Sequence, residues 1–505
     1  MLMKLNILFG GKAGQGSNIV GHIMAKILAS QGFYIFQSRD YQSLIRGGHN
    51  FNLLTFSNEP VYSNESKIDV LVAMDNLTLE VHKDDLKEKA IVISQSKGNM
   101  YLAGCLIKLL GLDLALLEKE LEKIKRFDEN MAEAKEGYCD TETKINLSLF
   151  ARQEIFSILT GNQAVAQGSI DSGLSLYFSY PMTPATGVMN ELASNQIENN
   201  LLVFQSENEI AAINAALGAS FSGARSMVGS SGGGFDLMAE ALSFQGQTEI
   251  PLVVYLASRP GPSTGVPTYT SQGDLNAALY SGHGEFPRVV VAPGDPLELI
   301  EKTNESFYIS EKFRSLVIII SDKHLAESEF SVSELTKPSL KIEMQRPIPG
   351  KDIVKTSSYE HSADGITTES SLDIEENIKS RLKKKDKIKQ EIEKFEMFKI
   401  HGNRNSKNLV VGWGSTKGAV LDAINGLDVK FLQIIYVEPF SSQIKKELQK
   451  AEKIILIENN STSQLGDLII QKTGIEIKDK ILKYDGRPFF SDKLNEKIKE
   501  ILNGS

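Results

Sequence analysis

The residues best suited to chemistry fall in a few short stretches between Tyr180 and Leu275. YPMTPATG (Tyr180–Gly187) sets the Thr183 hydroxyl between two prolines at the end of the apolar run GLSLYFSY. Proline fixes φ near −65° and turns the preceding residue away from the α region. Such a stretch makes either an ordinary strand-to-helix turn, with proline in the first helical turn, or a rigid mount for one hydroxyl. SSGGGFDLMAE (Ser230–Glu240) places three glycines between a strand and a helix, where hydroxyls and N–H groups can nest a flat or anionic ligand. ASRPGPSTGVPTYTSQGDL (Ala257–Leu275) is a long loop rich in glycine and proline, with Arg259 just beyond a strand. Loops of that length are more often functional than filler. Arginine grips a carboxylate with two parallel hydrogen bonds; a surface ion pair is the plainer role. In QSENEIAAINAALGAS, Glu207 and Glu209 open a helix. The macrodipole alone favours acidic residues there, and residues two apart do not share a helix face. At most one of the two points into a site.

The elements that must position these residues follow from periodicity. SLYFSYP, NLLVFQS, RSMVGSS, PLVVYLAS, RVVVAPG and SLVIIIS read as strands, with helical stretches between them such as NEIAAINAALGASFSG. This alternation over about 160–333 implies a doubly wound parallel sheet, in which ligands sit outside the carboxyl ends of the strands. Residues 1–156 form a first α/β region: strand LNILFGG, helix SNIVGHIMAKILASQG, strands VLVAMD and AIVIS, and helix LDLALLEKELEKI. Residues 334–402 read as an extended crossing segment followed by a charged, solvated helix. Residues 403–505 form a third, smaller βαβ region. The loop GGKAGQG (Gly10–Gly16) follows the first strand, but its spacing fits neither G-x-G-x-x-G nor G-x-x-x-x-G-K-[ST]. A structural turn or a phosphate contact at the helix N-terminus suits it better than a nicotinamide site.

At 505 residues, a size of roughly 150 per domain gives about three domains. Apolar content of 41% and charged content of 24% are those of an ordinary globular protein. A net charge of −9 argues against a broad nucleic-acid surface. No apolar run reaches the roughly 18 residues of a membrane span, and the N-terminus reads as a strand rather than a signal peptide. The expected location is the cytoplasm. The two cysteines, Cys105 and Cys139, cannot supply the four thiolates of a [4Fe–4S] cluster, and no metal site is expected on this chain.

Taken together, the segments resemble the alpha subunit of 2-oxoacid:ferredoxin oxidoreductases with a gamma domain fused at its N-terminus. The resemblance runs through GNQAVAQGSIDSGLSLYFSYPMTPATG, SENEIAAINAALGASFSGARSMVGSSGGGFDLMAE, SRPGPSTGVPTYTSQGDL, GHGEFPR and GGKAGQG…YQSLIRGGHN, in family order across nearly the whole chain. It implies three α/β domains. Residues 1–156 would be gamma-like, 160–333 a thiamine diphosphate pyrimidine-binding domain, and 403–505 a smaller transketolase C-terminal-like domain. It implies that Glu209, nine positions before Gly218, hydrogen-bonds the aminopyrimidine ring, with Glu207 as the alternative. A carboxylate there favours the imino tautomer, whose nitrogen can remove the thiazolium proton. Thr183 and Arg259 would meet the 2-oxoacid, and Tyr180, Pro181, Ser231 and Gly232 would line the cofactor. Gly14, Gly16, Arg46 and Gly47 would contact coenzyme A.

No GDG…N motif is present, so the resemblance also implies a beta subunit bringing the diphosphate site, Mg²⁺ and a [4Fe–4S] cluster. The chain should be inert alone, should form an (alpha–beta)₂ assembly and should pass electrons to ferredoxin. Departures from the family pattern include Met182, Ala185-Thr186, Gly233 where proline is usual, and Tyr269 where a basic residue is common. The last weighs against 2-oxoglutarate and toward a less charged 2-oxoacid such as pyruvate or a branched-chain acid. Tyr269 and Gly233 also motivate the competing reading, a non-catalytic assembly subunit.

Overall fold

The computed structural model describes residues 3–42, 47–94, 97–147, 156–333, 340–344 and 346–504. Three sheets organise them. The middle one carries the site. Its strands run in the order Tyr436–Glu438, Arg288–Val291, Leu316–Asp322, Leu252–Ser258, Ser226–Ser230, Leu176–Ser179 and Leu202–Gln205. All pairings are parallel except that of Tyr436–Glu438, which arrives from the third region and lies antiparallel to Arg288–Val291. Helices cover both faces. Val188, Met189 and Leu192 of helix Thr186–Asn195 bury on one side, and Ala212, Ile213, Ala216 and Leu217 of helix Glu209–Phe221 on the other. From Leu176–Ser179 the chain steps outward to Leu202–Gln205, then returns to pair Ser226–Ser230 on the opposite side. The strand order therefore reverses at Leu176–Ser179, and a crevice opens beside its carboxyl end.

The first sheet is mixed. Lys4–Lys12 pairs parallel with Ile68–Ala73 and antiparallel with His49–Ser57, which pairs in turn with Tyr34–Asp40. Two short strands from the edges of the middle region, Glu329–Val332 and Ser157–Thr160, extend this sheet and tie the two regions together. The third sheet has five strands, opening with Phe398–Gly402 antiparallel to Lys430–Ile434. The middle and third regions share one apolar cluster. Leu256 and Leu275 belong to it together with Trp413, Leu432 and Leu456.

The charged helix, Ser371–Ile392, buries only Ile388 and Ile392, which join the core of the middle sheet. Ahead of it, the crossing segment is held by Arg346, whose guanidinium donates to the Ser220 carbonyl at 2.8 Å and pairs with Glu311 at 3.0 Å.

Candidate functional site

The crevice lies between the loops that follow Leu176–Ser179 and Ser226–Ser230. Beneath it, the Ser179 hydroxyl donates to the Gly229 carbonyl on the neighbouring strand at 2.9 Å. The loop Tyr180–Gly187 is fastened at two successive carbonyls. Arg259 donates to the Thr183 carbonyl at 2.8 Å, and the Asn162 amide donates to the Pro184 carbonyl at 3.0 Å. Asn162 is itself held by the Tyr255 hydroxyl at 3.2 Å. The Thr183–Pro184 peptide is cis. With its backbone pinned, the Thr183 hydroxyl makes no hydrogen bond to any described residue. Thr183 lines a cleft of about 360 Å³ together with Arg39, Tyr41 and Glu327, and Glu209, Ser231 and Arg259 do not line it. In the same loop Tyr180 is exposed and Pro181 half-buried.

Asn208 caps the helix Glu209–Phe221, accepting from the Ala211 N–H. This turns Glu209 inward, to 3% exposure, and leaves Glu207 exposed. Glu209 Oε1 is buried without a hydrogen-bond partner among the described residues. It rests against Gly234, where an added Cβ would lie 2.6 Å from it and would also meet the Ser230 hydroxyl. Only glycine permits that approach. Ser231, fully buried, stands at the N-cap of the short helix Gly232–Leu237 yet makes no capping bond, and its hydroxyl has no partner. Asp274 closes the other side of the glycine run: a Cβ on Gly232 would lie 2.6 and 2.8 Å from its two oxygens.

Arg259 sits between the two acids. Burial pushes its guanidinium below the usual range, while Asp274 and then Glu209 hold it up. Burial likewise raises the Asp274 carboxyl to about 6, with the Ser258 hydroxyl opposing, Asp236 adding to the rise and Arg259 opposing it. Glu209 Oε1, Ser231 Oγ, Arg259 Nε and Asp274 Oδ2 are thus four buried polar atoms without hydrogen-bond partners, drawn from three loops at one sheet end. Native interiors rarely leave such groups unpaired. This set suits a ligand offering donors to a carboxylate and an acceptor for arginine.

Two of the departures acquire a setting. Gly233 faces open space, with only the Ser263 carbonyl near, so a Cβ there would meet no clash. Tyr269 lies outside the Thr183 cleft, in a cavity of about 220 Å³ where all three regions meet. The Arg487 guanidinium stacks 3.8 Å above its ring and pairs with Asp40 at 2.8 Å. A cation therefore stands over this position although the residue itself is aromatic. Asp274, Asn162 and Arg487 take part in this architecture without having been singled out by the sequence. The first two lie inside quoted motifs, QGDL and GNQAV, but carry residue types that are commonplace at helix starts.

The glycines of the first region form a separate cluster. The Ala13 N–H donates to the Gly48 carbonyl at 3.2 Å, bringing GGKAGQG against the GGHN turn. Gly14, Gly16 and Gly47 adopt φ of +91°, +88° and +61°, and a Cβ at Gly14 or Gly47 would meet nothing within 4 Å. Arg46 lies outside the described residues. No hydrogen bond or ion pair among the described residues joins this cluster to Thr183, Glu209 or Arg259. Among them, no group of acidic, histidine or cysteine residues is arranged to hold a metal ion. No helix is long and apolar enough to cross a membrane.

The chain is 30% identical to a "2-oxoacid:ferredoxin oxidoreductase subunit alpha" of Sulfolobus sp, covering 99% of this chain and 97% of the relative. The chain belongs to the 2-oxoacid:ferredoxin oxidoreductase family, among its alpha subunits. Residues 167–394 match the family described as "Pyruvate flavodoxin/ferredoxin oxidoreductase, thiamine diP-bdg", and residues 6–99 that described as "Pyruvate ferredoxin/flavodoxin oxidoreductase". Across 60% of the chain it is 31% identical to the "2-oxoglutarate synthase subunit KorA" of Methanocaldococcus jannaschii, of which 88% is covered. The fold agrees with that of the 2-oxoglutarate:ferredoxin oxidoreductase from Magnetococcus marinus, at a TM-score of 0.88 and 24% identity over 98% of this chain and 99% of that one. That oxidoreductase has 2-oxoglutarate, coenzyme A and succinyl-CoA bound. The expected architecture of three α/β units with a thiamine-binding middle therefore stands, as does the family.

Proposed function

We propose that this chain, with a beta subunit, carries out the thiamine diphosphate- and coenzyme A-dependent oxidative decarboxylation of a 2-oxoacid to acyl-CoA, passing electrons to ferredoxin. What carries this reading is the convergence at one switch point of Glu209, Arg259 and Thr183, with Glu209 Oε1 and Arg259 Nε buried and unpaired. Glu209 would accept a hydrogen bond from the aminopyrimidine ring, while Tyr180, Pro181, Ser231 and Gly232 line it. When bound, the cofactor supplies a carbanion at its thiazolium ring and a sink for the electrons left by carbon dioxide. Arg259 would bind the substrate carboxylate. Thr183, its backbone fixed by Arg259 and Asn162, would donate to the substrate with little further ordering needed on binding.

The diphosphate, Mg²⁺ and [4Fe–4S] cluster would be held by the beta subunit. Four apolar side chains on elements framing the site are about half exposed: Leu202 at 53%, Phe204 at 50%, Ile210 at 51% and Leu237 at 53%. Such a surface suits a partner. In this reading residues 1–156 are the gamma-like domain, with Gly14, Gly16, Arg46 and Gly47 toward coenzyme A. Residues 160–333 bind the pyrimidine, and 403–505 form the transketolase C-terminal-like domain. The assembly is (alpha–beta)₂ and cytoplasmic.

The test is reconstitution with the beta subunit, followed by 2-oxoacid-dependent reduction of a viologen dye. Turnover should require thiamine diphosphate and coenzyme A, be absent from this chain alone, and fall at least about 1,000-fold in Glu209→Ala, near the upper end of acid–base effects. Complex formation without turnover of any 2-oxoacid would instead establish an assembly subunit.

A further inference from the structure

Asp274 occupies the N-cap position of helix Leu275–Tyr280 but makes no capping hydrogen bond. Elsewhere in this chain Asp75, Asp113, Asp295 and Asp322 at the same position all accept from the N–H groups of the helix they precede. Capping is the ordinary reason for an aspartate there, and Asp274 forgoes it. Its carboxyl lies instead against Gly232, two residues from the glycine on which Glu209 rests. Its Oδ2 is buried with no hydrogen bond of good geometry, and the Ser258 hydroxyl lies near enough to favour its ionised form. Although Arg259 is close enough to bias it, the two form no ion pair. A buried carboxyl that neither caps a helix nor pairs with the arginine beside it is placed for proton transfer.

We propose that Asp274 is the acid–base residue for the substrate's oxo group, an assignment that rests on the function proposed above. The protonated carboxyl donates to the oxo oxygen as the carbonyl carbon is attacked: the π bond opens onto oxygen, an O–H bond forms, and Asp274 is left as carboxylate. After carbon dioxide departs, two electrons pass to the iron–sulfur acceptor. The hydroxyl proton then returns to Asp274 as the C=O bond re-forms, and the thiol sulfur, its proton released to solvent, takes the acyl group as the bond between the acyl carbon and the attacking carbon breaks.

The surrounding charges fit this order. Asp274 faces Asp236 on helix Gly232–Leu237, and Arg259 and Ser258 at the end of strand Leu252–Ser258. Arg259 also feels Glu209. A substrate carboxylate arriving on Arg259 adds negative charge beside Asp274 and favours its acid form. Loss of that charge as carbon dioxide frees Asp274 to act as base. Burial has already pushed its carboxyl up to about 6, where both forms are accessible near neutrality.

The experiment compares wild type, Asp274→Asn and Glu209→Ala in the reconstituted complex. Asp274→Asn should lower kcat about 100-fold and abolish the limb of the kcat–pH profile near pH 6. Affinity for thiamine diphosphate, measured by calorimetry, should stay within about threefold. A second readout needs no turnover. Because the folded pKa lies above the ordinary 3.8, ionisation destabilises the native chain as pH rises from about 4 through 6. The Tm of Asp274→Asn should therefore exceed that of wild type at pH 8, with the gap closing below about pH 4. An unchanged kcat and pH limb, a pH-independent Tm difference, or a cofactor affinity lost more than about tenfold would each overturn the assignment. In those cases an inactive Glu209→Ala leaves the proposed function standing. Absence of turnover in the wild-type complex would overturn both.

Discussion

The chain builds two glycine-rich turns at strand ends, and they are physically different. After Lys4–Lys12, the turn Gly10–Gly16 settles its own polar groups: Lys12 N–H is taken by Gln15 at 2.6 Å and Asp75 at 3.0 Å, and Ala13 N–H by Gly48. Gly14 and Gly16 are needed for backbone angle, and Gly14 has free space where a side chain would go, while Gly10, Gly11 and Gly16 pack against the structural side chains of Thr78, Gln15 and Asn99. After Ser226–Ser230, two of the three glycines are needed for room beside acidic side chains, because Glu209 and Asp274 press onto Gly234 and Gly232. The groups around them are left unpaired. A recess shaped by backbone and a site armed with desolvated side chains can look alike in sequence. They separate once the hydrogen bonds are followed to their ends.

Substitutions that exploit this difference sharpen it. Gly234→Ala should be the most damaging of them. The methyl displaces Glu209, and kcat should fall about 100-fold, the usual result of shifting a reacting group by about 1 Å. Circular dichroism would confirm an intact fold. Arg259→Gln removes the charged donor proposed for the substrate carboxylate and the anchor of the Thr183 carbonyl. The 2-oxoacid KM should rise about 30-fold, matching a loss of about 2 kcal/mol for a charge-assisted bond. Thr183→Val should lower kcat/KM about tenfold and leave thiamine diphosphate binding unchanged, measurable by steady-state kinetics beside calorimetry. Gly14→Ala should cost about 1 kcal/mol of stability through its left-handed angle, seen in chemical denaturation. It should change turnover less than about twofold at saturating coenzyme A. If Gly14→Ala proved as damaging to kcat as Gly234→Ala, the contrast between the two turns would collapse.

Much of the middle region was legible from its sequence, because a parallel sheet buried on both faces writes each strand as a continuous apolar run. Its six strands, and the helices that open at Thr186 and Glu209, appear where alternation places them. The first region was less legible. Its antiparallel pair Tyr34–Asp40 and His49–Ser57 is interleaved with polar residues, and the helix Phe127–Cys139 follows no strong turn signal. Pairings across nearly 300 residues, such as Glu329 with Gln37, leave no local trace at all. Within the site, Glu209 and Arg259 stood out as charges next to strand ends. Asp274 did not, because an aspartate ahead of a helix is expected to cap it, and only the structure shows that this one does not. Arg487 came from the third region, some 218 positions beyond the tyrosine it covers, by difference of their numbers.

The central claim is that Glu209, buried and unpaired at the switch point, activates thiamine diphosphate. The most direct measurement is the exchange rate of the cofactor's C2 proton with deuterium, followed by NMR in the reconstituted complex without substrate. Exchange in wild type should be fast, and in Glu209→Ala slower by a factor of about 100 or more at unchanged cofactor occupancy. Equal exchange rates in the two proteins would contradict the account.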